Sequence, residues 1–176
     1  SLFAQPTAAG LAKELDACTL IKGSGIVAGS GDLGQGRVAL SYGQQRLWLL
    51  DQIEGPNAAH NVAVALHLHG TLKREAMVQS LLELIDRHQP LRTVMRKVRG
   101  AQPEGLLLPL PSPDQLMEIV NIQDNVASLK EKMAMESARP FNLAKVFAIR
   151  VVLFELGEDD HVLLLTLHHH ACDGLS

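Results

Sequence analysis

The run His161-Val162-Leu163-Leu164-Leu165-Thr166-Leu167 constrains the fold of this chain more than any other stretch. It is nearly continuous in apolar residues, so it predicts a strand buried on both faces, within a sheet that has helices packed against it. Successive side chains of an extended segment point to opposite sides. Val162, Leu164, Thr166, His168 and His170 therefore share one side, and Leu163, Leu165, Leu167 and His169 share the other. His169 stands alone as a histidine on its face.

The strand runs directly into His168-His169-His170-Ala171-Cys172-Asp173-Gly174, a segment of the form H-H-x-x-x-D-G. A histidine changes charge near neutral pH, and a fixed carboxylate four residues on can orient the surrounding backbone, a combination that suits acyl transfer. Other readings compete. Histidines at the end of an apolar run are often hydrogen-bonded core residues. His168 and His170 share a face and could hold one metal ion, but no further Cys, His or carboxylate cluster sits nearby at ligand spacing, so no metal site is expected. Asp173-Gly174 by itself is a turn signal.

Composition narrows the classes. With 176 residues and 47% apolar content, one packed domain with a sizeable core is expected. A net charge of −3 leaves no basic footprint for nucleic acid or an anionic membrane surface, and 3% aromatic content gives no platform for stacking bases. No apolar run approaches the ~18 residues of a membrane span. The two cysteines, Cys18 and Cys172, do not read as a disulfide framework and fit a reducing cytosol, so a cytoplasmic location is expected.

Periodicity predicts alternating strands and helices. Residues 37–41 read as a short strand and 44–52 as a helix with Leu47, Leu50 and Ile53 on its apolar side. Residues 61–69 alternate as a half-buried strand carrying Val62, Val64, Leu66 and Leu68. Thr71 is a candidate N-cap for a helix whose Met77, Leu81, Leu84 and Ile85 face a sheet and which ends near His88. Strands are expected over 91–98, 105–109 and 117–122. A helix over 127–137 has Leu129, Met133 and Met135 partly inward and stops at Pro140. Residues 146–156 and 161–168 form a hairpin across the charged turn at 157–160.

Two further segments carry a family resemblance. Ser41-Tyr42-Gly43-Gln44-Gln45-Arg46-Leu47-Trp48-Leu49-Leu50 resembles the S-x-x-Q-x-R-L-W-x-L signature of condensation domains of nonribosomal peptide synthetases. Arg87-His88-Gln89-Pro90-Leu91-Arg92-Thr93 resembles their R-H-x-x-L-R-T signature, and H-H-x-x-x-D-G follows in the family's order and at about its spacing. Departures are mild: Gly43 stands where Ala is usual, Gln89 where Glu is common, and His170 where an aliphatic residue is usual. The resemblance covers roughly residues 37–176 and implies the amino-terminal lobe of a condensation domain, truncated two residues past Gly174. Leu2-Phe3-Ala4-Gln5-Pro6-Thr7 and the helical pattern after it look like the tail of an upstream thiolation, or carrier protein, domain over residues 1–17. Residues 18–36 then read as a flexible linker, with six glycines among residues 22–36.

The resemblance implies an α/β lobe like chloramphenicol acetyltransferase, a mixed sheet with helices packed on it, forming half of a two-lobed V. It implies amide bond formation between an acyl or peptidyl thioester on an upstream carrier and an aminoacyl amine on a downstream carrier. No cofactor is expected to be bound directly; 4'-phosphopantetheine arms of the partner carriers deliver both substrates. His169 is the expected catalytic residue, either accepting the amine proton or positioning the amine. His168, Asp173 and Gly174 are expected to shape the loop, with Asp173 paired to Arg92 first or Arg87 second. Arg46 and Trp48 read as packing residues of the first helix. The isolated lobe, missing its carboxy-terminal partner lobe, is expected to be inactive and to dimerise through its uncovered apolar face. The alternatives are an epimerisation domain, another H-H-x-x-x-D-G acyltransferase, or in isolation a carrier-docking module. Heterocyclisation domains carry aspartates where the histidines stand here.

Overall fold

The computed structural model describes residues 36–98, 102–122 and 126–173. The expected carrier tail (1–17) and all of the expected linker except Gly36 lie outside the described residues, as does Gly174.

The charged turn and the two apolar runs around it form the predicted hairpin. β6 (Ile149–Gly157) and β7 (Asp160–His168) pair antiparallel from Ile149 opposite Leu167 to Gly157 opposite Asp160, with Glu158 and Asp159 exposed at the tip. The sheet has the order β2-β7-β6-β5. β2 (Asn61–His69) runs antiparallel to β7, and β5 (Met117–Asn121) runs parallel to β6. Parallel neighbours need a long crossover, here supplied by α4 (Val126–Ala138) between β5 and β6.

Both faces of the β6/β7 core are covered, as the apolar run predicts. On one face Leu81 and Ile85 of α2 (Arg74–Arg87) pack with Ile149, Val151, Leu153 and Leu163. On the other, Leu129 of α4 packs with Val152, Phe154, Val162 and Leu164. Each such buried aliphatic or aromatic side chain contributes ~1.5–3 kcal/mol relative to exposure.

A smaller antiparallel sheet, in the order β1-β4-β3, joins β1 (Arg37–Val38), β4 (Glu104–Leu107) and β3 (Thr93–Arg96). Its strands close tightly over Gly105, where a Cβ would lie 2.6 Å from Val38 Cγ2. Glu104 is ion-paired to both Arg37 and Arg96, whose hydrogen bonds hold its carboxyl below the usual carboxylate range. α1 (Tyr42–Glu54) is anchored by Trp48, buried with Leu40, Met95, Phe141 and Leu143. The single-turn α3 (Pro113–Leu116) precedes β5.

Several expectations need correction. Thr71 does not cap α2: the N-cap is Lys73, and the Thr71 hydroxyl donates to Asp159 Oδ1 across the hairpin turn at 3.2 Å. Val64 and Leu66 are exposed, because β2 is the sheet's edge strand and the α2 core reaches only its Leu68 end. Ile53, Leu84 and Met135 also face outward. On α1 the inward residue is Trp48, while Leu47 and Leu50 are half-buried.

Candidate active-site loop and its cleft

β7 ends where its paired neighbours end, and the chain turns sharply. The His168 N–H donates to Ala148 O at 2.9 Å, His169 N–H to His60 O at 2.8 Å, and Ala171 N–H to His168 O at 2.9 Å. These bonds fix the alternation read from the sequence into opposite environments. His168 and His170 are buried, 4% and 7% exposed, while His169 is exposed.

The two buried rings form a pair, Nδ1 to Nδ1 at 3.0 Å. His168 Nδ1 also lies 3.2 Å from the His170 backbone N–H. Since a backbone N–H only donates, His168 Nδ1 is an acceptor and the ring's proton sits on Nε2. Burial, followed by the neighbouring His170, His60 and His169, lowers the His168 pKa to about 3. Burial lowers that of His170 to about 4, opposed by a hydrogen bond to the Thr93 backbone. Both rings are therefore neutral at pH 7, which is the core-histidine reading of these two positions.

A polar and aromatic platform lies beneath them. Phe141 meets His168 edge-on with centroids 5.8 Å apart, and the Arg150 guanidinium lies 3.9 Å above the Phe141 ring. Arg150 Nη2 donates to Glu136 O and Arg139 O at the end of α4, at 2.9 and 2.6 Å. Asn61 Nδ2 donates to Ser137 O and Arg139 O at 2.7 and 3.0 Å. Carbonyls that the helix terminus leaves open are thus satisfied, and α4 is docked beside the loop. Burial, with Arg139 nearby, lowers the Arg150 pKa to about 10, which leaves it charged at neutral pH.

His169 is held differently. Its Nδ1 lies 2.7 Å from Cys172 O. A carbonyl can only accept, so Nδ1 carries the proton and Nε2 keeps its lone pair in the neutral ring. Burial, and then Asp173, push the Cys172 thiol up, which disfavours a thiolate there.

His169 lines a cleft of about 550 Å³ with His60, Gln44, Arg46, Cys172 and Asp173 among its walls. The cleft brings together the first and third sequence motifs. Ser41 caps α1 in a reciprocal capping box with Gln44, and Gln44 Nε2 also donates to His170 O at 3.3 Å, tying helix to loop. Arg46, expected to be a packing residue, is exposed in the cleft wall; Trp48 is buried as expected. The second motif lies outside the cleft. Arg87 is exposed in the last turn of α2. Arg92, the residue expected against Asp173, gives its guanidinium to Asp86 Oδ1 at 3.0 Å and Leu108 O at 2.9 Å. The sequence reading did not single out His60, Asn61, Phe141 or Arg150. Pairing residues 61–69 with 160–168 would have placed His60 and Asn61 beside the loop, but nothing local marks Phe141 or Arg150.

Comparison with known proteins identifies the family and the fold. Residues 34–176 match the family model described as Condensation domain. The probable non-canonical nonribosomal peptide synthetase CymA of Salinispora arenicola is 38% identical over 141 residues, 80% of this chain. Malpibaldin synthetase of Mortierella alpina is 42% identical over 139 residues, 78% of this chain. The chain spans 2% of the length of each. The first condensation domain of the calcium-dependent antibiotic synthetase, solved with a substrate analogue, superimposes with a TM-score of 0.67 at 21% identity, covering 78% of this chain and 35% of that one. The α/β fold expected from the resemblance, a mixed sheet with helices packed on it, is thus the fold shared with condensation domains. The chain belongs to the condensation domain family of nonribosomal peptide synthetases.

Proposed function

We propose that this chain supplies the histidine-bearing wall of an amide-forming condensation centre, with His169 as its catalytic residue. The observation that carries this is the fixed tautomer: Nδ1–H on the Cys172 carbonyl leaves the Nε2 lone pair on the one exposed histidine of the loop. In the reaction, the amine on a downstream carrier attacks the thioester carbonyl of an upstream carrier's acyl group. A C–N bond forms, the C–S bond breaks, and the amine proton passes by way of His169 Nε2 to the departing thiolate. A positioned base of this kind contributes ~10² to 10⁴ in rate. Neutral, buried His168 and His170 hold the loop without adding positive charge beside His169.

Carrier domains deliver both substrates on 4'-phosphopantetheine arms, and a carboxy-terminal lobe provides the facing wall of the channel. Asp173 shapes the turn, and the chain alone is inactive. The exposed Val64 and Leu66 of edge strand β2 favour self-association of the isolated chain.

The test uses the intact synthetase with both carriers loaded. His169→Ala should abolish the extended carrier-bound product, read by mass, while carrier loading persists. Undiminished product would overturn the assignment, and an epimerised, unextended product from the wild type would make this an epimerisation domain.

A further inference from the structure

The far end of the β2/β7 ladder carries a second histidine cluster, outside the cleft. His67 and His69 are two residues apart on β2, so both rings stand on one side of the sheet, with centroids 4.0 Å apart. Asp160, the first residue of β7, is the cross-strand partner of His69. Its Oδ1 lies 2.6 Å from His67 Nε2 and 3.2 Å from His69 Nδ1. One ligand atom from each residue falls within 4.8 Å of the other two, the one such grouping of three among the described residues.

We propose that His67, His69 and Asp160 form a binding site for a divalent transition-metal ion of the zinc, copper or nickel class, with water completing the coordination. Two imidazoles and one carboxylate suit such ions, whereas magnesium and calcium favour oxygen donors throughout. Ligands at ~2.0–2.2 Å from a shared ion stand roughly 3.3 to 3.6 Å apart in a tetrahedral set. The Asp160–His69 spacing of 3.2 Å is close to this, and the Asp160–His67 spacing of 2.6 Å must open by about 0.7 to 1 Å. The side chains can adjust: His67, His69 and Asp160 are 51%, 70% and 43% exposed. Their backbones are held in register by the β2/β7 pairing, and the adjoining turn is closed by Gly70 N–H on Asp159 O at 2.8 Å. A bound ion would clasp edge strand β2 to β7, roughly 27 Å along the ladder from His169 at ~3.4 Å per residue.

The experiment titrates zinc chloride alone into the tag-free full chain, followed by calorimetry and thermal melting. The expected result is one ion per chain with micromolar affinity and a zinc-dependent rise in Tm. His67→Ala or His69→Ala should weaken binding by about ten-fold or more, as should Asp160→Asn, with far-ultraviolet circular dichroism unchanged. No uptake by the wild-type chain at millimolar zinc overturns the proposal. So does wild-type affinity in the His67→Ala/His69→Ala double variant, which would place the ion elsewhere. Cobalt(II) on the wild-type chain gives an independent reading: d–d bands without thiolate charge transfer are expected, and a thiolate band would put the metal on a cysteine instead.

Discussion

The two ends of the β2/β7 ladder carry histidine pairs with the same i, i+2 spacing and opposite surroundings. At the loop end, His168 and His170 are almost fully buried against Phe141 and His60, bonded to each other and held neutral. At the hairpin end, His67 and His69 are exposed and turned toward one carboxylate oxygen. Strand spacing brings the hairpin-end pair together and the turn after β7 brings the loop-end pair together; cover then decides what each pair can do. A covered pair becomes a rigid support for the residue between it, His169. An uncovered pair keeps its lone pairs within reach of a ligand.

The sharpest way to break this contrast is at the residue that the buried pair supports. His169→Ala should cost ~10² to 10⁴ in condensation rate with little change in melting temperature, measured on the intact synthetase. Equal losses in activity and stability would make His169 another structural histidine.

The cover itself comes next. Arg150→Ala removes the charged donors to the Glu136 and Arg139 carbonyls and uncovers the Phe141 ring, and should destabilise the chain by about 2–3 kcal/mol in urea unfolding. A loss under ~0.5 kcal/mol would mean that water replaces the guanidinium there.

Acid should weaken the buried end. His168 and His170 bind protons less readily folded than unfolded, with pKa values near 3 and 4 against an ordinary 6.5. Their contribution is therefore complete above about pH 6.5 and is lost as pH falls toward those folded values. His170→Leu should flatten the fall in Tm between about pH 7 and about pH 5. An unchanged slope in His170→Leu would assign the acid sensitivity to other groups. The smallest effect is expected at the open end: without metal, His67→Ala and His69→Ala should stay within ~0.5 kcal/mol of wild type. A larger loss would show the cluster to be structural even when empty.

Much of the fold was legible because periodicity reports which sides of an element are apolar. The both-sided burial of β7, the hairpin, the end of α2 near His88 and the succession of strands along the chain follow from it. Edges and long-range polar partners were not legible. Val64 and Leu66 alternate as a half-buried strand should, yet their strand has a neighbour on one side only. Thr71 has the chemistry of a cap, but its hydroxyl finds Asp159 across the hairpin. Arg92 follows a family motif, but in the fold it stands beside Asp86 and the Leu108 carbonyl.

By itself the sequence determined which faces the residues of β7 take, up to His168, since strand alternation needs only the backbone. It also carried the three motifs in their order. Only the tertiary structure decided that α1 would bring Gln44 and Arg46 to the same cleft as His169, and that Phe141, itself beneath the Arg150 guanidinium, would meet His168 edge-on. It likewise set Asp160 opposite His69. The physical reason is that direction along a strand is a local property, whereas burial and partnership depend on which distant segments arrive.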